Sequence, residues 1–215
     1  MTDNCYRLHE WFNSLRKFRF PFDEDLPLIP QNGIYILFER GETFEQMDRV
    51  VRVGTHTGDD QLRSRLRQHF ADENKDRSIF RKNIGRCFLS KESHPYLKVW
   101  NLDFTTRDQK KKNAHLKDEH LQEQIEKRIS HYIQQNMSFA VIGVNSKRER
   151  LYFESRIVSS ISLSEKCKPS SDWLGRYSPK VRIRESGLWQ VNELYKIPMN
   201  ALDMNELRFL IKKTG

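Results

Sequence analysis

The sequence is short of the features that would make it a disulfide scaffold, a zinc module or a membrane protein. It has three cysteines in 215 residues, Cys5, Cys87 and Cys167, far apart and with no CxxC pair. That spacing argues against a structural zinc site and more strongly against a disulfide framework. Reduced thiols fit a cytosolic compartment. No apolar run approaches the roughly 18 residues a bilayer span needs. The first residues are polar and lack the apolar stretch of a secretion signal. There is no internal repeat and no low-complexity linker. The hydrophobic fraction is only 37%, although a chain of this length can still build a core. The expectation is a soluble, cytoplasmic protein with no membrane partner.

What the chain has in quantity is charge. Charged residues make up 31%, and 38 Lys plus Arg against 29 Asp plus Glu give a formal charge of +9. A basic excess of this size suits a polyanionic partner, most simply nucleic acid.

The length predicts a single domain, 1–215. Periodicity predicts a helix over 3–18, with Tyr6, Leu8, Trp11, Phe12 and Leu15 inward, stopped by Pro21 and the acidic residues 23–25. A strand over 33–39, a polar loop over 40–48 and a strand over 49–54 follow. Gly58-Asp59-Asp60 is expected to open a helix reaching Phe70, because aspartate caps orphan N–H groups. Further helices are predicted over 77–89, 116–135, 147–163 and 202–212, with a third strand over 138–144 and another near 188–192. Residues 95–110 read as irregular. The layout is α+β with a small central sheet.

Chemistry gathers around the first two strands. A hairpin joining them brings Tyr35, in Gly33-Ile34-Tyr35, close to Gly54, in Val51-Arg52-Val53-Gly54. On the next helix Arg65 and His69 fall one turn apart on a side bordering the Leu62/Leu66/Phe70 stripe. Alone, each would read as an ordinary surface residue; together they share a side aimed at Gly54. On the helix over 147–163, Glu154 falls among Leu151, Ile157, Val158 and Ile161. A carboxylate there is costly without a partner. Three resolutions are open: an arginine ion pair, protonation, or a bound divalent cation. These groups cover phosphodiester hydrolysis. Arg65 can hold phosphate oxygens with a bidentate fork. Tyr35 or His69 can take a water's proton. Glu154 can hold one Mg²⁺.

These residues resemble the GIY-YIG nuclease superfamily, in particular its stand-alone restriction-endonuclease-type members. Gly33-Ile34-Tyr35 matches the first signature, Arg52-Val53-Gly54 occupies the second, and Arg65, His69 and Glu154 follow in the family's order. The resemblance covers roughly residues 30–162. It implies a small antiparallel three-stranded sheet flanked by helices, with a basic, helical insertion at about 74–135, an N-terminal helix within 1–29 and a C-terminal extension over 163–215. It implies a metal-dependent endonuclease that cuts double-stranded DNA with Mg²⁺ (or Mn²⁺), of restriction or related defence or mobile-element type, working alone, with a homodimer as one way to cut both strands. Tyr35 would be the general base or the water orienter, Arg65 the phosphate ligand and Glu154 the metal ligand.

One position departs from the pattern. Arg52 stands where the second signature has tyrosine. Some restriction-enzyme branches carry a lysine there, so Arg52 is expected to stabilise a phenolate on Tyr35 or to touch the phosphate. The alternative is an impaired enzyme that still binds DNA. Arg77, Arg81, Lys82 and Arg86 on one helix and Lys110, Lys111 and Lys112 in a loop are candidate phosphate contacts. Ser186, Trp189 and Asn192 are candidates for the wall of the site, and Trp173 and Trp189 are expected in the core.

Overall fold

The computed structural model describes residues 4–214. Three strands, β1 (Gly33–Phe44), β2 (Met47–Gly54) and β3 (Met137–Gly143), form one antiparallel sheet in the order β2-β1-β3. The described helices are α1 (Asn4–Asn13), α2 (Leu62–Phe70), α3 (Ile79–Lys91), α4 (Leu97–Trp100), α5 (Arg107–Asn113), α6 (Glu119–Asn136), α7 (Lys147–Ser162), α8 (Val181–Ser186) and α9 (Ala201–Thr214). The expected α+β architecture is present.

Side chains alternate along β1, and both faces are covered. Tyr35 and Leu37 face a core built with Leu62, Leu66 and Phe70 of α2, Phe80 and Ile84 of α3, and Ile129 and Ile133 of α6. Ile34, Ile36 and Phe38 face a second core built with Leu8 and Phe12 of α1, Phe153, Ile157 and Val158 of α7, and Leu207 of α9. The central strand therefore reads as a continuous apolar run. Trp173 and Trp189 lie in the first core, as expected.

Several boundaries differ from the sequence reading, each for a local reason. The loop expected over 40–48 is mostly strand. β1 runs to Phe44 and turns at Glu45 and Gln46, both with positive φ (48° and 65°), as hairpin turns require. The first helix ends at Asn13, not 18 (residue 3 lies outside the described residues). Phe18 instead exchanges backbone hydrogen bonds with Phe139 on the outer edge of β3 (2.7 and 2.9 Å). Asp60 does not cap α2, which begins at Leu62. Its φ is +57°, and it is bound to Asn32 by both its N–H (2.9 Å) and its carboxylate (2.6 Å). The 95–110 stretch contains α4 and the start of α5. No strand forms at 188–192. The segment still covers the edge of β2: Trp189 N–H donates to the Val51 carbonyl (2.7 Å), and Gln190 Oε1 accepts from Val53 N–H (3.1 Å).

Candidate active site

The site begins at the first strand pair, where Tyr35 sits across from Gly54. Facing residues on neighbouring strands share a side of the sheet, so the missing side chain leaves room for the phenol. A Cβ built on Gly54 would collide with the Tyr35 hydroxyl. A β-bulge brings in Arg52. Leu37 pairs with Arg52 while Phe38 pairs with Val50, leaving Val51 as the extra residue. Regular alternation from Val50 would turn Arg52 away from Tyr35; the bulge reverses that. Arg52 Nε donates to Tyr35 Oη (3.3 Å) and Nη1 to the Trp189 carbonyl (2.6 Å).

Helix α2 supplies Arg65 and His69. Leu62, Leu66 and Phe70 are fully buried and fix its rotation. His69 is fully buried as well, deeper than the core edge expected from its position. Its Nε2 lies 2.8 Å from Tyr35 Oη and its Nδ1 2.7 Å from Ser78 Oγ. Burial holds the imidazole well below its usual pKa, and the charges of Arg65, Arg52 and Arg81 push the same way. His69 is therefore neutral at physiological pH. Ser78 is the N-cap of α3, accepting the Arg81 N–H (3.3 Å).

A cleft of about 280 Å³ opens beside these groups, lined by Thr55, His56, Thr57, Gly58, Gln61, Arg65 and Gln68. Its loop is tied to the start of β1. Thr55 Oγ1 donates to the Gly33 carbonyl (2.7 Å), and Gly33 N–H donates to His56 Nε2 (3.3 Å). His56 Nδ1 then carries the ring proton and donates to the Gly58 carbonyl (2.7 Å). Buried Arg150 also reaches that carbonyl (3.3 Å) while holding Asn145 (2.5 Å). On the cleft wall, half-buried Arg65 donates, among the described residues, only to neutral acceptors, Gln68 Oε1 and the Arg77 carbonyl (both 2.9 Å).

Glu154 of α7 is half-buried. Burial raises its pKa from 4.5 to about 7. The fields of Arg52 and Arg65 and the Thr55 backbone N–H oppose that rise, and Glu193 adds to it. It forms no ion pair among the described residues, so the arginine ion pair is not how this carboxyl is accommodated. A desolvated carboxyl with no cation of its own is a suitable donor for a divalent ion. The other cluster with metal-ligand residue types, Cys5, His9 and Cys167, fits an ion poorly. His9 Nε2 accepts the Val50 N–H (3.1 Å) and Nδ1 donates to the Cys5 carbonyl (2.8 Å), so both ring nitrogens are engaged.

Of the five expected site residues, Tyr35, Arg52 and His69 are joined by hydrogen bonds, and Arg65 and Glu154 lie within their electrostatic reach. Only Arg65 lines the cleft; Tyr35 is fully buried and Arg52 is 6% exposed. Three expected phosphate contacts are not on the surface. Arg81 is fully buried and paired with Glu126 (2.8 Å). Lys82 is held by Asp76 (3.3 Å) and the Leu102 carbonyl (2.9 Å), and Arg86 by Asn101 and Asn83 (2.7 Å each). Helix α3 is buried nearly all round, so its basic side chains point into protein. Arg77, Lys110, Lys111 and Lys112 are exposed, the lysines on short α5 rather than in a loop. The expected apolar face of α7 also shifts. Leu151 is 40% exposed, while Phe153 is buried. Ser186 is buried in a local turn and Asn192 is exposed; of the expected wall, the Trp189 carbonyl reaches Arg52. Sequence reasoning missed Ser78 and the His56 loop. Ser78 fell inside the helix predicted over 77–89, whereas it caps a helix that begins at Ile79.

The family to which the fold belongs supports a nuclease-type function. A family model described as a GIY-YIG domain matches residues 8–214, beyond the expected 30–162 core at both ends, and the chain belongs to that family. Comparison with curated proteins gave no match, nor did comparison with solved structures. Among the described residues no helix is long and apolar enough to cross a membrane.

Proposed function

We propose that the protein is a divalent-metal-dependent DNA endonuclease that hydrolyses phosphodiester bonds, of restriction or related defence type. One observation carries this reading. Arg65 and Glu154 lie within each other's field, yet neither makes an ion pair among the described residues. The guanidinium keeps its full charge for a phosphate, and the carboxyl keeps its lone pairs for a cation.

Arg65 holds the scissile phosphate from the cleft wall and neutralises charge that builds up in the transition state. Glu154 holds Mg²⁺ or Mn²⁺, which would supply Lewis-acid polarisation of the phosphate and a more acidic bound water. Tyr35 first gives up its own proton to solvent, and the phenolate then takes the water's proton. His69 is the weaker candidate for that task, because burial and three arginines oppose its protonation. Arg52 donates to the phenolic oxygen and so stabilises negative charge there. Arg77 and the α5 lysines contact flanking phosphates, and cleavage of both strands uses two copies or two successive nicks.

A second reading, a catalytically impaired DNA-binding protein, draws on the burial of Tyr35 and Arg52 away from the cleft. Nicking of supercoiled plasmid with Mg²⁺ or Mn²⁺ separates the two. DNA that shifts on a gel but is never cut, across several sequences and both metals, favours the second. Cleavage of a randomised DNA library followed by end sequencing would give the site cut.

A further inference from the structure

Four hydrogen bonds run through the buried end of the site: Arg52 Nε to Tyr35 Oη (3.3 Å), Tyr35 Oη to His69 Nε2 (2.8 Å), His69 Nδ1 to Ser78 Oγ (2.7 Å), and Arg81 N to Ser78 Oγ (3.3 Å). The two ends are fixed, because a guanidinium N–H and a backbone N–H can only donate. The two inner bonds share three protons: the phenol's, the neutral imidazole's and the serine's. One proton is left over.

The direction of the chain decides whose it is. With the imidazole proton on Nδ1, Ser78 accepts twice and its own hydroxyl proton is the spare. Ser78 and Tyr35 are both 0% exposed, so burial does not choose which hydroxyl proton is spare; the chemistry proposed for Tyr35 does. The phenol would then be committed as a donor to His69 Nε2, which could offer no N–H to a phenolate. With the imidazole proton on Nε2, Ser78 accepts once and donates once. Tyr35 Oη receives two N–H donors, and the spare proton is the phenol's, on the one group of the three that the proposed reaction requires to exchange a proton.

We infer that Ser78 is a positioning residue: its hydroxyl donates to His69 Nδ1, holds the imidazole in the Nε2–H tautomer and so keeps Tyr35 Oη an acceptor. The inference rests on the nuclease reading, because it is a phenolate on Tyr35 that requires an N–H on His69 Nε2.

The test uses the full chain with ¹⁵N-labelled histidine. Long-range ¹H–¹⁵N spectra of wild type should show His69 protonated on Nε2 and bare on Nδ1. Ser78→Gly, which keeps a tolerated N-cap residue while deleting the hydroxyl, should shift His69 toward Nδ1–H. It should also lower the kcat of Mg²⁺-dependent plasmid nicking at least tenfold with KM unchanged. Ser78→Thr should restore both. An Nδ1–H tautomer in wild type overturns the proposal. So does a Ser78→Gly protein that keeps the wild-type tautomer and rate. If wild type shows Nε2–H but never nicks DNA, the nuclease reading falls while the role of Ser78 toward His69 stands.

Discussion

Gly54 lies directly across the sheet from Tyr35, and the phenolic oxygen occupies the space a Gly54 side chain would take. The last residue of β2 is thus part of how the phenol is held. Replacing Gly54 by alanine forces Tyr35 off its bonds to Arg52 and His69, neither of which has room to follow. The expected cost is about 1–3 kcal/mol from overpacking a close-packed site, read by urea denaturation. Nicking activity should be lost while DNA affinity in a gel shift is kept. A Gly54→Ala protein with wild-type turnover would separate the phenol from catalysis.

Much of this site was legible because its parts are local in sequence. The apolar run at 33–39 gave β1, and the four-residue spacing of Arg65 and His69 gave one side of α2. Glu154 stood out as a carboxyl on an otherwise apolar helix face. What stayed hidden depended on pairing or on distant partners. The bulge at Val51 sets the direction of Arg52, yet nothing in Arg-Val-Val-Arg-Val-Gly announces an extra residue. Asp60 looked like a cap because its partner, Asn32, lies 28 residues away. Arg81 looked like a phosphate ligand because its carboxylate, Glu126, is 45 residues on. A basic helix reads as surface until the insertion around it is folded.

Arg65 should be catalytic without being structural. Its two acceptors are neutral, and both can be satisfied by water when it is gone. Arg65→Ala is expected to lower turnover by about 10²–10³-fold, the range for removing a transition-state charge partner. Its melting temperature should stay within about 2 °C of wild type, the shift expected for less than 1 kcal/mol in a domain of this size. Near-normal turnover would count against the whole site assignment.

The basic residues should divide into two groups by experiment. Arg81→Ala takes the guanidinium from Glu126 and Ser130 in the core and leaves the carboxylate only the Lys75 N–H, so it should destabilise the fold by about 3–5 kcal/mol. Arg77→Ala and Lys110→Ala should leave stability unchanged. Each should reduce the slope of log affinity against log salt by about one. Fluorescence anisotropy with labelled duplex at several salt concentrations measures this. A full-strength slope in the double variant would remove these two residues from the DNA surface.

The raised pKa of Glu154, about 7 against 4.5, has a sign that can be tested in two ways. The folded carboxyl holds its proton more tightly than the unfolded one. Stability from that proton is therefore complete below about pH 4.5 and is lost as pH rises to about 7. Glu154→Gln has no proton to lose. It should gain on wild type by up to about 2–3 kcal/mol between pH 5 and pH 8, the upper limit of what such a shift represents, while nicking is abolished. A divalent ion must displace the same proton. Mn²⁺ binding to wild type, followed by calorimetry, should weaken about tenfold per pH unit below 7 and level off above it. Binding that is independent of pH, or retained in Glu154→Gln, would place the ion on other residues.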